Sequence, residues 1–172
     1  MRIILTFLYI FQFSSLTFAI VRLEKVDVKI LDPSKAKCTV EIIPGKPSTV
    51  VNLHAETFFE GEDITVKFAA FSFIDGHYNE FIETNSVSIC DMPKSDHPLI
   101  SFMYKELSKA GNLTTACPVK KGTYVLRDFK ILESDLPISL PPGSFKLELN
   151  GSLHENNQLI PLFVSDIYFK EM

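Results

Sequence analysis

The sequence FKLELNGSL, residues 145–153, decides the fold class. Apolar or small residues occupy every second position from Phe145 onward, and polar residues occupy the positions between them. Such alternation is typical of a strand with one buried face, because successive side chains of a strand point to opposite sides of the sheet. The stretch therefore predicts a half-buried β-strand that carries Asn150 on its wet face.

The same alternation recurs through most of the chain. It covers residues 26–30, 38–42 and 64–70, and we predict a last strand over residues 159–169. After Ala70 the apolar phase changes to Phe71 and Phe73, which predicts a bulge or a strand covered on both faces. We find no linker or shift in composition, and we expect a single domain.

A two-residue hairpin is predicted at Asp75-Gly76, because both turn positions need positive φ and these residue types tolerate it. The hairpin would pair a strand ending near Ile74 with one that runs over residues 79–89. Residues 44–45, 61–62 and 141–143 carry other turn signals.

One segment has helical spacing instead. Its apolar residues are Leu99, Phe102, Met103, Leu107 and Ala110. Asp96 is a candidate N-cap, Pro98 falls in the first turn, and Gly111 follows the last turn. We expect a short helix over about 98–110 whose apolar stripe packs on the core. The fold class is therefore all-β, a two-sheet antiparallel sandwich with one inserted helix.

Composition excludes several classes of protein. Hydrophobic types make up 46% of the 172 residues, which is too many for a disordered chain. The formal net charge of −4 argues against nucleic acid or an anionic membrane surface as the main partner.

The N-terminus has the pattern of a cleaved signal peptide over residues 1–19. A basic start is followed by an apolar run, and Thr17 and Ala19 lie at the positions that signal peptidase reads. The alternative, a membrane anchor, needs about 20 apolar residues, whereas Gln12, Ser14 and Ser15 interrupt this run. We therefore expect a secreted, extracellular domain over residues 20–172 with no later transmembrane segment.

In an oxidising compartment, cysteines pair by default. Cys90 follows a predicted strand and Cys117 follows the predicted helix, so a bridge between them would tie the helical segment to the sheet. Cys38 is in phase with apolar positions and is expected to be a buried free thiol. Two glycosylation sequons, at Asn112 and Asn150, fit secretion.

We find no catalytic signature. The sequence has no nucleophile elbow, zinc-protease motif, phosphate loop or calcium loop, and its four histidines are scattered. We therefore expect no enzyme activity, no catalytic residue, no metal site and no cofactor.

The C-terminal half resembles a known family. The resemblance rests on four motifs: CPVKKGTY at 117–124, Leu136-Pro137, PGSF at 142–145 and the strand after Gln158-Leu159. In this order they resemble the lipid-recognition ML superfamily, of the ganglioside activator type. Cys90, the Pro98 helix and the Asn112 region resemble its arthropod chemosensory CheB-type branch. The likeness extends over about 87–169. The chain has fewer cysteines than ganglioside activators, and Ile160–Leu162 contains none.

The resemblance implies a two-sheet β-cup that holds a lipid or apolar small molecule for transport, presentation or chemosensory signalling. A receptor or a lipid-processing enzyme is the implied protein partner. From strand alternation and helix phase we predict that the wall of the cup consists of Val66, Phe68, Phe81, Phe102, Met103, Tyr124, Leu126, Phe145, Leu147 and Phe163.

Two alternatives remain open. A closed β-sandwich that serves as an extracellular interaction module has the same alternation as an open cup, because the many phenylalanines could all be core. An immunoglobulin-like version is disfavoured because the chain contains no Trp. A secreted hydrolase would require a nucleophile beside a histidine.

Overall fold

The computed structural model describes residues 21–45, 49–59, 63–113, 118–131, 136, 140–155 and 158–171. The predicted signal peptide and Cys117 lie outside these residues. The described residues form nine strands: β1 (Val21–Ile30), β2 (Ala36–Ile43), β3 (Val50–Thr57), β4 (Ile64–Ile74), β5 (His77–Glu83), β6 (Val87–Ser88), β7 (Gly122–Phe129), β8 (Gly143–Glu155) and β9 (Gln158–Glu171). A short 3₁₀ helix, Met92–Lys94, and helix α1, Pro98–Ala110, lie between β6 and β7.

The strands form two antiparallel sheets. The larger sheet has the order β1-β9-β8-β4-β5, with β6 paired to the start of β4, and the smaller sheet has the order β2-β3-β7. The predicted two-sheet antiparallel architecture with one short helix is confirmed. Residues 145–153 lie within β8, in the middle of the larger sheet.

The predicted hairpin forms at Asp75 and Gly76, whose φ angles are 52° and 86°. The predicted bulge is present as a register shift between Ala70 and Phe71. The strand predicted over 79–89 is interrupted, however. β5 ends at Glu83. The next residue, the buried Thr84, bonds to β4 through its side chain instead, because its hydroxyl accepts the Phe68 amide at 3.0 Å.

Helix α1 has the predicted bounds, with Pro98 in its first turn. The N-cap prediction was wrong by one residue: His97 occupies this position, and no side chain caps the helix. Gly111 ends the helix against β7, where a β-carbon on Gly111 would overlap the carbonyl of Val125. Asn112 fixes this approach, because its Oδ1 accepts the Val125 amide at 2.7 Å.

Strands β3 and β7 are the elements that alternation alone did not locate. In β3, Val51, Leu53 and Ala55 face the interior, and Asn52 and His54 alternate with them. The signal was present but weak, since β3 contains only one large aliphatic pair on that face.

The interior is filled unevenly. At the corner where β8 begins and β4 ends, Phe145 stacks on Phe169 with ring centroids 5.6 Å apart. Leu147, two residues further along β8, is also buried. Elsewhere between the sheets, next to residues of β1, β9, β8 and β4, the space is not filled.

Candidate ligand-binding cavity

A cavity of about 230 Å³ lies between the two sheets. The larger sheet contributes mostly aliphatic residues of β1, β4, β8 and β9, namely Leu23, Val26, Val28, Ile30, Ile64, Val66, Phe68, Leu149, Leu162, Phe163, Ser165 and Ile167. The smaller sheet contributes Ala36, Cys38, Val51, Leu53, Ala55, Thr57, Tyr124, Leu126 and Phe129. Ile89, Met92, Met103, Leu107, Leu113 and Val119 line it from the helical segment. The wall is therefore almost wholly apolar.

Two polar side chains of the wall are saturated by the backbone. The Tyr124 hydroxyl donates to the carbonyl of Lys120 at 2.8 Å and accepts the Lys120 amide at 3.0 Å. The Thr57 hydroxyl donates to the same carbonyl at 2.8 Å. Because their polar atoms are used outside the cavity, these residues present carbon atoms to it.

Charged residues contribute little to the interior. Lys37 and Glu56 belong to the lining, but both lie on the outer face of their strands. Ala36 and Cys38 flank Lys37, and Ala55 and Thr57 flank Glu56, so strand alternation directs both charged side chains outward. Lys37 is exposed, with its ammonium 5.5 Å from the centre of the Phe58 ring. The cavity thus offers no buried charge that would fix an ionised group.

Cys38 carries a free thiol that is half-buried on the inner face of β2. Burial raises the pKa of this thiol above its ordinary value. A thiol in this state is weakly polar and fits an apolar wall.

The structure brings together six of the predicted wall residues: Val66, Phe68, Met103, Tyr124, Leu126 and Phe163. Phe102, Phe145 and Leu147 are buried but do not line the cavity. Phe145 and Leu147 belong to the first half of β8, where Phe145 stacks on Phe169, and Phe102 belongs to helix α1. Phe81 lies outside both, with 45% of its surface exposed. The bulge opposite Phe71 places Phe81 at the margin of the sheet, where its ring only meets the edge of Phe145 at 6.3 Å.

Sequence reasoning missed the contribution of β1 and β3. The alternation of Val26, Val28 and Ile30 was visible, but it did not show which sheet β1 joins. The β1–β9 pairing places these residues beside Ile167, Ser165 and Phe163 on the wall. Pairing between chain ends of this kind is not encoded in a local pattern.

The remaining predicted residues lie away from the cavity. Cys90 is disulfide-bonded, and the pairing with Cys117 stays a prediction. Asn112 is exposed. Asn150 lies on the outer face of β8, where its amide donates to Glu148 at 2.9 Å. Use of either sequon also stays a prediction.

The described residues contain neither a candidate metal site nor a helix that could span a membrane. No group of three or more His, Cys, Asp or Glu residues in them could hold a metal ion. Likewise, none of the helices that the structure describes is long and apolar enough to cross a membrane.

Comparison with known proteins gives a family match and remote structural likenesses. Residues 64–147 match a family described as "Protein of unknown function (DUF1091)". The chain is similar in fold to chicken MD-1 complexed with lipid IVa, with 15% identity, a TM-score of 0.38, and coverage of 87% of this chain and 96% of that chain. For a Niemann-Pick type C2 protein from Japanese carpenter ant, the identity is 12%, the TM-score 0.30 and the coverage 87% and 90%. No curated protein is detectably similar in sequence.

Proposed function

We propose that this protein binds one lipid or other apolar small molecule in the cavity between its sheets. The observation that supports this function is the cavity itself, which is apolar on every side and contains no charged side chain directed inward. A closed interaction module would instead fill this space, because protein interiors pack to a high density.

The volume sets the size of the ligand. At about 230 Å³ the cavity is larger than an engineered cavity of about 150 Å³ that binds benzene, and it lies below the usual range for drug-sized ligands. One acyl chain or one small apolar molecule fits this range better than a lipid with several chains.

The apolar chain of such a ligand gains free energy when it is buried in the cavity. Burial of on the order of ten methylenes at about 0.8 kcal/mol each gains about 8 kcal/mol. Association costs on the order of 4–15 kcal/mol, part of which this burial offsets. Well-packed contacts with Phe68, Met103 and Phe163 supply additional dispersion energy.

We further propose that the domain is an ML-like lipid-recognition domain over residues 20–172, secreted after removal of residues 1–19. The motifs between Cys117 and Phe145 support this assignment, and the CheB-type likeness supports a role in chemosensory signalling or ligand presentation. The proposal includes no catalytic step and no cofactor.

Ligand binding is tested on the secreted protein purified from eukaryotic cells. Native mass spectrometry and organic extraction should recover an apolar molecule, and the delipidated protein should bind a fluorescent fatty acid or the neutral probe N-phenylnaphthylamine. Absence of both extracted ligand and probe binding would refute the proposed function.

Secretion is tested through the sequons. An amidase that removes N-glycans should lower the mass of the secreted protein in two steps, one each for Asn112 and Asn150. Ser152→Ala should remove one step while it leaves the Asn150–Glu148 hydrogen bond intact. Retention of the protein inside the cell without glycans would contradict secretion.

A further inference from the structure

Strands β1 and β2 follow each other in the chain but belong to different sheets. Each is the edge of its sheet, since β1 pairs with β9 and β2 pairs with β3. Among the described residues, no hydrogen bond joins a β1 residue to a β2 residue. The facing edges of β1 and β2, here called the β1–β2 seam, are therefore not joined by a ladder of backbone hydrogen bonds.

Both ends of this seam are tied. At one end the Asp32 carboxylate accepts the Ser34 amide at 3.0 Å and closes the turn between the strands. At the other end the Thr49 hydroxyl donates to the carbonyl of Leu23 at 3.0 Å. Between these ties, the described residues show no hydrogen bond from β1 to β2.

A second, more open cleft of about 660 Å³ lies along the middle of the seam. Val26, Val28 and Cys38 line both this cleft and the apolar cavity. These three side chains therefore lie where the two spaces adjoin. Toward the outside the cleft also contacts Asp27, Lys29 and Asp166, which are polar.

The opposite seam is closed. Helix α1 lies beside β7, where the Asn112 amide donates to the Val125 carbonyl at 3.2 Å and the Asn112 side chain accepts the amide of Val125. Ile100, Phe102 and Met103 of the helix are buried, and Met103 lines the cavity from this side.

We propose that the apolar ligand enters and leaves through the β1–β2 seam, past Val26, Val28 and Cys38. This inference rests on the proposed binding function. The seam admits a single chain into the apolar interior, and it leaves a polar headgroup beside Lys29 and Asp166 in contact with water. The ligand class it indicates is an amphiphile with one apolar chain.

Cys38 allows a direct test, because it is the native free thiol on this passage. A polyethylene glycol maleimide coupled to Cys38 should obstruct the seam without filling the cavity. We expect the association and dissociation rates of N-phenylnaphthylamine each to fall about tenfold, with the dissociation constant changed by no more than about twofold, as for an obstructed route to an unchanged site.

The matched control places the same polymer one residue away. In the Cys38→Ser, Thr39→Cys variant, the new thiol lies on the exposed outer face of β2. Labelling should change the exchange rates of the probe by no more than about twofold relative to the same variant before labelling.

Three results would overturn the passage. They are equal exchange rates for the two adducts, failure of folded Cys38 to react, and loss of affinity without a change in association rate, which would place the polymer inside the cavity. Failure of unlabelled wild-type protein to bind any probe would instead overturn the binding function and, with it, the passage.

Discussion

Gly151 of β8 lies directly opposite Phe163 of β9, and the Phe163 ring occupies the space where a β-carbon of Gly151 would be. The missing side chain is therefore what allows the ring to lie against β8 and form part of the cavity wall. Glycine is required here by close approach, since Gly151 is not among the residues with positive φ.

Gly151→Ala should push the Phe163 ring into the cavity. We expect the affinity for a fluorescent fatty acid to fall about tenfold, with a loss of about 1–3 kcal/mol in the free energy of unfolding from overpacking. The sequon at Asn150 is unchanged by this substitution. Adding Phe163→Leu should restore both quantities, and a Gly151→Ala protein with normal affinity would show that the ring can move elsewhere.

Ala55→Leu should fill the cavity from β3, where Ala55 lines it and is half-buried. We expect weaker probe binding and an unchanged or higher melting temperature, because the added methylenes enter empty space. Leu147→Trp is the matched comparison in the filled corner, where a larger side chain should lower stability by about 1–3 kcal/mol. Calorimetry that showed the same destabilisation for both variants would mean that no usable space exists beside Ala55.

A Cys90–Cys117 bridge should appear in peptide maps of the unreduced protein, with Cys38 alkylated without reduction. By the chain-entropy estimate, closure of this loop contributes about 3–4 kcal/mol to stability. The Cys90→Ala, Cys117→Ala double variant should therefore unfold at lower denaturant concentration, whereas Cys38→Ala should not. A peptide that joins Cys38 to either other cysteine would contradict this pairing.

The outer face of the larger sheet should make stability fall in acid. Hydrogen bonds from Lys146 and Asn150, each at 2.9 Å, hold the pKa of Glu148 below its ordinary value of 4.5. The positive charge of Lys67 also lowers the pKa of Glu148. Asp166 of β9 lies directly opposite Glu148 in the strand register. A lowered folded-state pKa stabilises the protein above the unfolded-state value, and this stabilisation is lost as pH falls through the folded-state value.

Glu148→Gln removes this titration. Chemical denaturation between pH 6 and about pH 3 should show a shallower loss of stability in the variant than in the wild type. Parallel curves for the two proteins would assign the acid sensitivity to other carboxylates.

Local pattern predicted the elements better than it predicted the site. The alternation in residues 145–153, the helical spacing from Leu99 and the Asp75-Gly76 turn each correspond to an element, because each depends on neighbours in sequence. The cavity depends on which strands lie side by side. Leu147 and Phe163 are both inward apolar residues of the larger sheet, but only Phe163 borders the unfilled space, and no periodicity distinguishes the two.

The unfilled space between the two sheets also determines how the protein responds to compression. Hydrostatic pressure favours the state of smaller volume, and unfolding reduces volume in proportion to the internal voids that it eliminates. In the protein without a ligand, the empty space beside Val26 and Phe163 adds to the volume of the native state relative to the unfolded state. A ligand that filled this space would reduce the volume decrease on unfolding, so the loaded protein should resist pressure better than the empty one.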